Sequence, residues 1–466
     1  MKNNNTQLHT NGVPKNAPKN APKNAPRNLA VLAAGFALAG AHPAGANAIW
    51  GSAPEAAQFQ AAQAKTDMAL AQTLRAGTQT GWTAAIVKTT GVLTAGQAAR
   101  MTALGATVTQ RLPLIGSVAL RLPTHNLAKL AALPFVSHLS YDGQIKKCDE
   151  FTVASSGAAV AYQQYGLDGT GVTVAVLDSG IAASATATTT ADLATSTGTS
   201  RVKASASFTA DGLTTDSCGH GTHVAGIIAG NGARSTGIQY THTYYGEARA
   251  ASLVNVRVLD GYGLGSVSQV ISGLQWVVSN KAKYNIRVIN LSLGHPVGES
   301  YTTDPLCQAV EAAYRAGIVV VCAAGNAGRL NIAQVTGAPN EGWGTNYGSI
   351  ISPGNDPYVI TVGATKNMDG NRADDRIATY SSRGPSRLDL VLKPDIIAPG
   401  NRIISVDANK SYLENLYSAT NVVPLSGYCT TSSLKTSKDY FCLSGTSMAA
   451  PVVAGPPPCS SRPAPA

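Results

Sequence analysis

The pattern of apolar and polar positions divides this chain into a leader, a small mixed segment and a large domain. Val172-Thr173-Val174-Ala175-Val176-Leu177 is apolar without alternation, as in a parallel strand covered on both faces. Val319-Val320-Val321-Cys322-Ala323 reads as another buried strand running into a turn, and Tyr358 to Ala364 as a third. After Gly219-His220-Gly221-Thr222-His223-Val224-Ala225-Gly226 the chain continues as an apolar, small-residue helix. The turn Gly445-Thr446 delivers Ser447 to the start of another. Earlier, residues 84 to 141 have the pattern of a small α+β unit. Strands are predicted at Thr83 to Val87, Val118 to Leu122 and Phe135 to Leu139, and helices at Ala95 to Leu104 and Leu127 to Leu133.

The first 28 residues repeat Asn-Ala-Pro-Lys, too polar and Pro-rich to bury a core. The apolar run Leu29 to Ala41 and the site Ala46-Asn47-Ala48 complete the three-part pattern of a secretory signal peptide. That run is too short for a comfortable membrane span, so no stable membrane anchor is expected. The chain then divides into a disordered basic leader and signal peptide at 1–48, a small domain at 49–147, and the large domain at 148–466. The formal charge of +10 belongs to the leader and small domain: residues 1–147 carry a net +11 and the remainder −1. No nucleic-acid partner is therefore expected for the large domain.

Chemistry enters at three places. Ser447 sits where unpaired backbone N–H groups favour developing negative charge, although most serines at such turns merely cap the helix. A serine also needs a base, and the base an orienting group. Asp178 ends the 172–177 strand and points into the crevice where α/β ligands bind. His220, at a helix entrance, can face the same crevice, while His223, one turn on, packs in the core. The two histidines do not make a metal site, because no third ligand lies nearby in the sequence. Gly169-Thr170-Gly171 is no dinucleotide fingerprint, since its glycines precede the strand.

With Asp178, His220 and Ser447 in this order, the chain resembles the subtilisin-like serine proteases, the subtilases, over roughly residues 155 to 455. The resemblance implies an α/β fold: a three-layer domain with a mostly parallel seven-stranded sheet. It implies that Asp178 orients the imidazole, that His220 is general base and then acid, and that Ser447 attacks the scissile carbonyl to give an acyl-enzyme. Asn326 matches the oxyanion-hole amide, with the Ser447 N–H as second donor. Val288 to Gly294, ending in Ser292, Leu293 and Gly294, resembles the strand that pairs with substrate backbone; Gly263, Leu264 and Gly265 resemble the opposite edge. Ala323, Ala324 and Gly325 leave room for the side chain before the cut. Lys393-Pro394-Asp395-Ile396-Ile397-Ala398-Pro399-Gly400 resembles the late buried motif. The small α+β unit is similar in order to an inhibitory, ferredoxin-like propeptide ending near Lys147. The resemblance thus implies a monomeric, secreted (extracellular or periplasmic) endopeptidase acting on polypeptide substrates, with its own propeptide as intramolecular inhibitor.

No cofactor is required for that chemistry. Structural calcium is common among such proteins, but Asp374-Asp375 read equally as a solvated turn, and no metal ligand is assigned. Seven cysteines in an exported chain suggest disulfides, with Cys429–Cys442 and Cys307–Cys322 as candidate pairs. Cys218, two residues before His220, reads as a small side chain packed beside the site. After Gly455 the small-residue helix expected behind Ser447 gives way to Pro456-Pro457-Pro458-Cys459-Ser460-Ser461, and consecutive prolines cost about 3 kcal/mol or more each in a helix. The tail is expected to be a frameshift: losing one base from GC-rich codons for Ala-Ala-Ala-Leu-Leu turns them into Pro-Pro-Pro-Cys-Ser. The sequence leaves three readings: a working secreted endopeptidase, a truncated remnant with impaired catalysis, and a protein that binds peptides without cutting them.

Overall fold

Alternation in the N-terminal segment builds a sheet whose two faces meet different partners. In the computed structural model, described for residues 61–75, 80–142, 144–147, 158–182, 188–330, 340–366, 375–430 and 436–455, this segment begins the fold. It comprises α1 (Met68–Arg75), β1 (Trp82–Thr89), α2 (Ala95–Thr102), β2 (Thr107–Leu112), β3 (Ser117–Pro123), α3 (Leu127–Ala131) and β4 (Val136–Tyr141). The strands form one antiparallel sheet in the order β2-β3-β1-β4. Ala85, Val87, Val118 and Leu120 pack with Leu70, Met101, Leu127 and Leu130 of the segment's own helices. Ile86, Leu112 and Ala119, on the other face, join the core of the large domain. The elements expected from sequence are present, with ends shifted by one or two residues. The strand β2 and the helix α1 were not expected. Thr107-Val108-Thr109-Gln110-Arg111 forms a mostly polar edge strand, and Gln110 hydrogen-bonds the Ser272 hydroxyl across the interface instead of burying apolar area.

Beyond Tyr141 the chain leaves this sheet as β5 (Gln144–Lys147) and enters the large domain through α4 (Ala158–Tyr165). The domain continues with β6 (Thr173–Asp178), β7 (Val202–Ser207), α5 (His220–Ala229), β8 (Ser252–Arg257), β9 (Leu264–Ser266) and α6 (Val267–Tyr284). Next come β10 (Ile286–Leu291), β11 (Leu293–Gly294), α7 (Pro305–Arg315), β12 (Val319–Ala323), β13 (Ile360–Lys366), β14 (Arg376–Ile377) and β15 (Ile396–Pro399). The last elements are β16 (Ile403–Val406), α8 (Tyr412–Asn421), β17 (Val422–Pro424), β18 (Thr436–Leu443) and α9 (Thr446–Ala454). All described residues belong to one compact unit, Ser52–Ala466.

The central sheet runs β14-β13-β12-β10-β6-β8-β7, with β15 also on β13. Seven of its strands are parallel, as expected. The two-residue antiparallel β14 makes eight among the described residues. The unbroken apolar run of β6 is explained by burial on both faces. Val174 and Val176 face α5 and α9, while Ala175 and Leu177 face α6 and α7. This is a three-layer α/β fold. The late motif is held from inside: the Lys393 ammonium donates to the Val359 carbonyl (2.8 Å) and the Asp395 carboxylate (2.6 Å).

One sheet was not foreseen, and one expectation needs correction. A second sheet, β16-β18-β17, with α8 inserted, lies between the late motif and Ser447 where no element was expected. The disulfide pairs are not made. Among the described residues Cys429 carries no bridge, and the buried Cys307 donates to Asn355 Oδ1 (3.5 Å) rather than bonding Cys322. No helix among the described residues is long and apolar enough to cross a membrane. The leader and signal region, Cys148, Asp374 and the tail from Pro456 lie outside the described residues.

Candidate active site

Three element ends meet at the crevice. Asp178 closes β6, and its Oδ1 accepts hydrogen bonds from the Ser179 N–H (2.7 Å) and from His220 Nδ1 (2.7 Å). Because Nδ1 is spent on the carboxylate, His220 presents Nε2 as its other nitrogen. Both side chains are buried, so the carboxylate–imidazole pair lies out of bulk water. The close approach depends on Gly221: a Cβ there would stand 3.1 Å from Asp178 Cβ and collide with the Gly180 carbonyl.

Asp216, which sequence reasoning did not single out, builds the turn that presents His220. Its carboxylate accepts from Ser179 Oγ (2.9 Å), the N–H groups of Cys218, Gly219 and Thr222, and Thr222 Oγ (2.6 Å). An acidic residue four positions before the histidine was the only signal. His223 packs in the core as expected, its Nε2–H donating to the carbonyls of Ile403 (3.1 Å) and Phe441 (3.0 Å). Burial holds it down at about 3, so it stays neutral.

Ser447 is the second residue of α9, whose N-cap Gly445 contributes no side chain to the helix entrance. Its hydroxyl donates to the Ser292 carbonyl (3.2 Å). Pro451, inside the same helix, lacks the N–H that would bond the carbonyl of Ser447 four residues earlier. The Ser292 hydroxyl replaces it, donating to that carbonyl at 2.7 Å. Asn326 comes after β12 and the turn Ala324-Gly325. Its Oδ1 accepts from the Thr446 N–H (2.9 Å) and hydroxyl (3.1 Å). Thr446 Oγ also accepts from the Gly325 N–H (3.0 Å), so Thr446 fastens the Asn326 turn to the entrance of the Ser447 helix. Its role was missed, adjacent though it is to Ser447.

The expected strand edges face each other, and the gap between them is filled by β5. Lys147 pairs with Leu293 and Lys146 with Gly294 on one side. On the other, Lys146, Ile145 and Gln144 pair with Leu264, Gly265 and Ser266. Both pairings are antiparallel, and Gly263 lies just outside the paired strand. Just upstream, the Asp142 carboxylate accepts from the Ser268 N–H (3.1 Å) and hydroxyl (2.8 Å) at the N-terminus of α6, where negative charge is favoured.

The family model for subtilases matches residues 169–456 of this chain. The chain belongs to the subtilase family. Serine protease AprX of Bacillus subtilis (strain 168) is 37% identical over 250 residues, 52% of this chain and 48% of that protein. Subtilisin DY of Bacillus licheniformis is 33% identical over 294 residues, 63% of this chain and 77% of its own length. An extracellular serine proteinase of Thermus sp. (strain Rt41A) is 32% identical over 319 residues, 66% and 62% of the two chains. This subtilase thus spans about half the length of the AprX protein.

This subtilase also keeps a buried carboxyl group whose charge depends on pH. Asp356 is fully buried; its Oδ1 accepts the Tyr358 N–H (2.7 Å) and its Oδ2 finds no hydrogen-bond donor among the described residues. Burial pushes its carboxyl up to about 7, against the Tyr358 N–H, which favours the charge. The unfolded chain has the ordinary value of 3.8, so between about pH 4 and 7 the folded state holds the extra proton. Stability from this group is therefore present below that window and lost as pH rises through it. Asp356→Asn keeps the Tyr358 bond without the charge, and should be more stable than the parent at pH 8 by about 2 kcal/mol. Thermal unfolding of both chains in a Ser447→Ala background, at pH 5 and pH 8, checks this; parallel profiles would contradict it.

Proposed function

We propose that this chain is a secreted serine endopeptidase made as a self-inhibited precursor. Ser447 Oγ attacks the scissile carbonyl while His220 Nε2 takes its proton, and Asp178 steadies the imidazolium that forms. The oxyanion is met by the Asn326 side-chain amide and the Ser447 N–H at the start of α9. His220 returns the proton to the leaving amine, and water then releases the acyl-enzyme by the same steps in reverse. Base, nucleophile and oxyanion donors all come from side chains and backbone, so this route needs no cofactor. The substrate is an extended polypeptide, recognised mainly through its backbone.

The observation that carries this reading is β5, a stretch of the chain itself seated between β9 and β11 beside Ser447. The N-terminal α+β domain is then the propeptide, held on α6 and α7, with Gln144–Lys147 as the inhibitory strand. The register refines the expected cut near Lys147. β5 ends at Lys147, paired with Leu293 and one position short of Ser292, so the cut is proposed one residue beyond β5. The bond to be cut is that between Cys148 and Asp149. Secretion is supported by the signal pattern at Leu29 to Ala48 and by the extracellular Thermus relative. Purified processed protein should hydrolyse casein and take a fluorophosphonate label, both lost in Ser447→Ala. A processed wild-type chain that does neither would defeat the proposal.

A further inference from the structure

We infer that Ile351 sets which peptide bonds are cut, by closing the pocket for the side chain before the cut to all but small residues. The inference rests on the endopeptidase reading above and adds a specificity to it.

The substrate residue opposite Ser292 must place its side chain between two backbone edges, Ser292–Gly294 and Ala323–Gly325. Small residues on both edges leave space there, but the structure fills it from below. Ile351 is fixed between the edges: its N–H donates to the Ala324 carbonyl (3.1 Å). Its neighbour Ser352 exchanges two backbone hydrogen bonds with His295, one residue beyond Gly294 (3.0 and 2.9 Å). The Ile351 side chain thereby lies against both glycines. A Cβ added to Gly294 would stand 2.5 Å from its Cδ1 and 2.9 Å from its Cγ1. A Cβ added to Gly325 would stand 2.9 Å from its Cγ2 and 3.2 Å from its Cγ1. The two glycines are thus in van der Waals contact with one branched side chain, which spans the gap from edge to edge.

Ile351 is also a wall of a cavity of about 720 Å3, lined further by Pro296, Val297, Tyr347 and Leu390. It is therefore a partition, with the substrate gap on one side and an open cavity on the other. The gap is expected to admit an alanine or serine side chain. A phenylalanine or leucine side chain would overlap the Ile351 methyl groups, and a β-branched residue is stiff about χ1 and does not swing aside. Its backbone anchors at Ala324 and His295 prevent the segment from retreating.

The test uses self-processed wild-type protein and the variants Ile351→Ala and Ile351→Val, with succinyl-Ala-Ala-Pro-X-p-nitroanilides in which X is Ala or Phe. The wild type should favour Ala over Phe at least tenfold in kcat/KM, since steric misfit of even one methylene is worth about 10–200-fold in such pockets. Ile351→Ala should lower that preference at least tenfold by joining the gap to the cavity, and Ile351→Val should fall between. A wild type that takes Phe as readily as Ala overturns the inference, as does an unchanged ratio in both variants. If Ile351→Ala does not fold, the wild-type ratio and the Ile351→Val shift decide. The two readings separate cleanly. A wild type that takes the fluorophosphonate label and cuts Phe refutes Ile351 alone, whereas one that is neither labelled nor active refutes the endopeptidase reading beneath it.

Discussion

Replacing Ser447 by alanine is expected to leave the chain as a full-length precursor, folded and uncut. The strand Gln144–Lys147 is held by backbone pairing on both sides and by Asp142 on the N-terminus of α6. The reacting groups are thus presented to one another within one molecule, which removes most of the entropic barrier to the first cut. What remains is the need for a nucleophile, and Ser447 offers a hydroxyl at a helix entrance to the Asp178–His220 pair. Loss of the serine of such a triad costs about a million-fold in kcat, a scale taken from subtilisin. The wild type should lose residues up to Cys148 and show Asp149 as its new N-terminus. The alanine chain should stay intact through purification, yet be cut at the same bond by added wild-type protein. An alanine chain that processes itself at the wild-type rate would refute the assignment of Ser447, and a new N-terminus elsewhere would refute the register argument.

Whether a feature could be read in the sequence depended on how it is encoded. β6 was legible because burial on both faces demands an unbroken apolar run, and Asp178 ends that run. His220 and Ser447 were legible because small residues crowd the two helix entrances, and the structure brings both entrances to the end of β6. The edge strand β2 was not legible, because its face meets the polar flank of α6 and carries no period-two hydrophobic signal. The β16-β18-β17 sheet was missed for a different reason. Its strands pair across the intervening helix α8, so neither alternation nor spacing announces the partner. The cysteine pairs failed because spacing says nothing of direction: Cys307 turns toward Ser352 and Asn355, not toward Cys322. Thr446 and Asp216 act entirely through hydrogen bonds to backbone and neighbouring side chains, which a residue's identity does not disclose. Ile351 is the extreme case, an ordinary aliphatic residue whose meaning comes only from the two glycines it touches.

The second large effect is expected at Asn326, where the orientation of the amide decides the prediction. The Thr446 N–H can only donate, so the atom of Asn326 facing it must be Oδ1. The second bond to Oδ1, from the Thr446 hydroxyl, makes a flip of the amide costlier still. Nδ2 is thereby turned away from Thr446 as a donor whose direction is set before any substrate arrives, and a preorganised donor needs no reorganisation when negative charge develops. Such a group interacts weakly with a neutral carbonyl and strongly with the oxyanion, so its loss should appear in kcat rather than in KM. Asn326→Ala should lower kcat by about 10²–10³, a magnitude taken from a subtilisin, with KM changed by less than about threefold. Asn326→Asp separates donor chemistry from packing. The aspartate can still accept both Thr446 bonds and fills the same volume, yet it offers no donor and adds a negative charge beside the developing one. Its kcat should fall at least as far as that of the alanine variant, while thermal unfolding in the Ser447→Ala background stays close to that of the parent. An aspartate variant with kcat near wild type, or an alanine variant whose only change is a raised KM, would remove Asn326 from the oxyanion site.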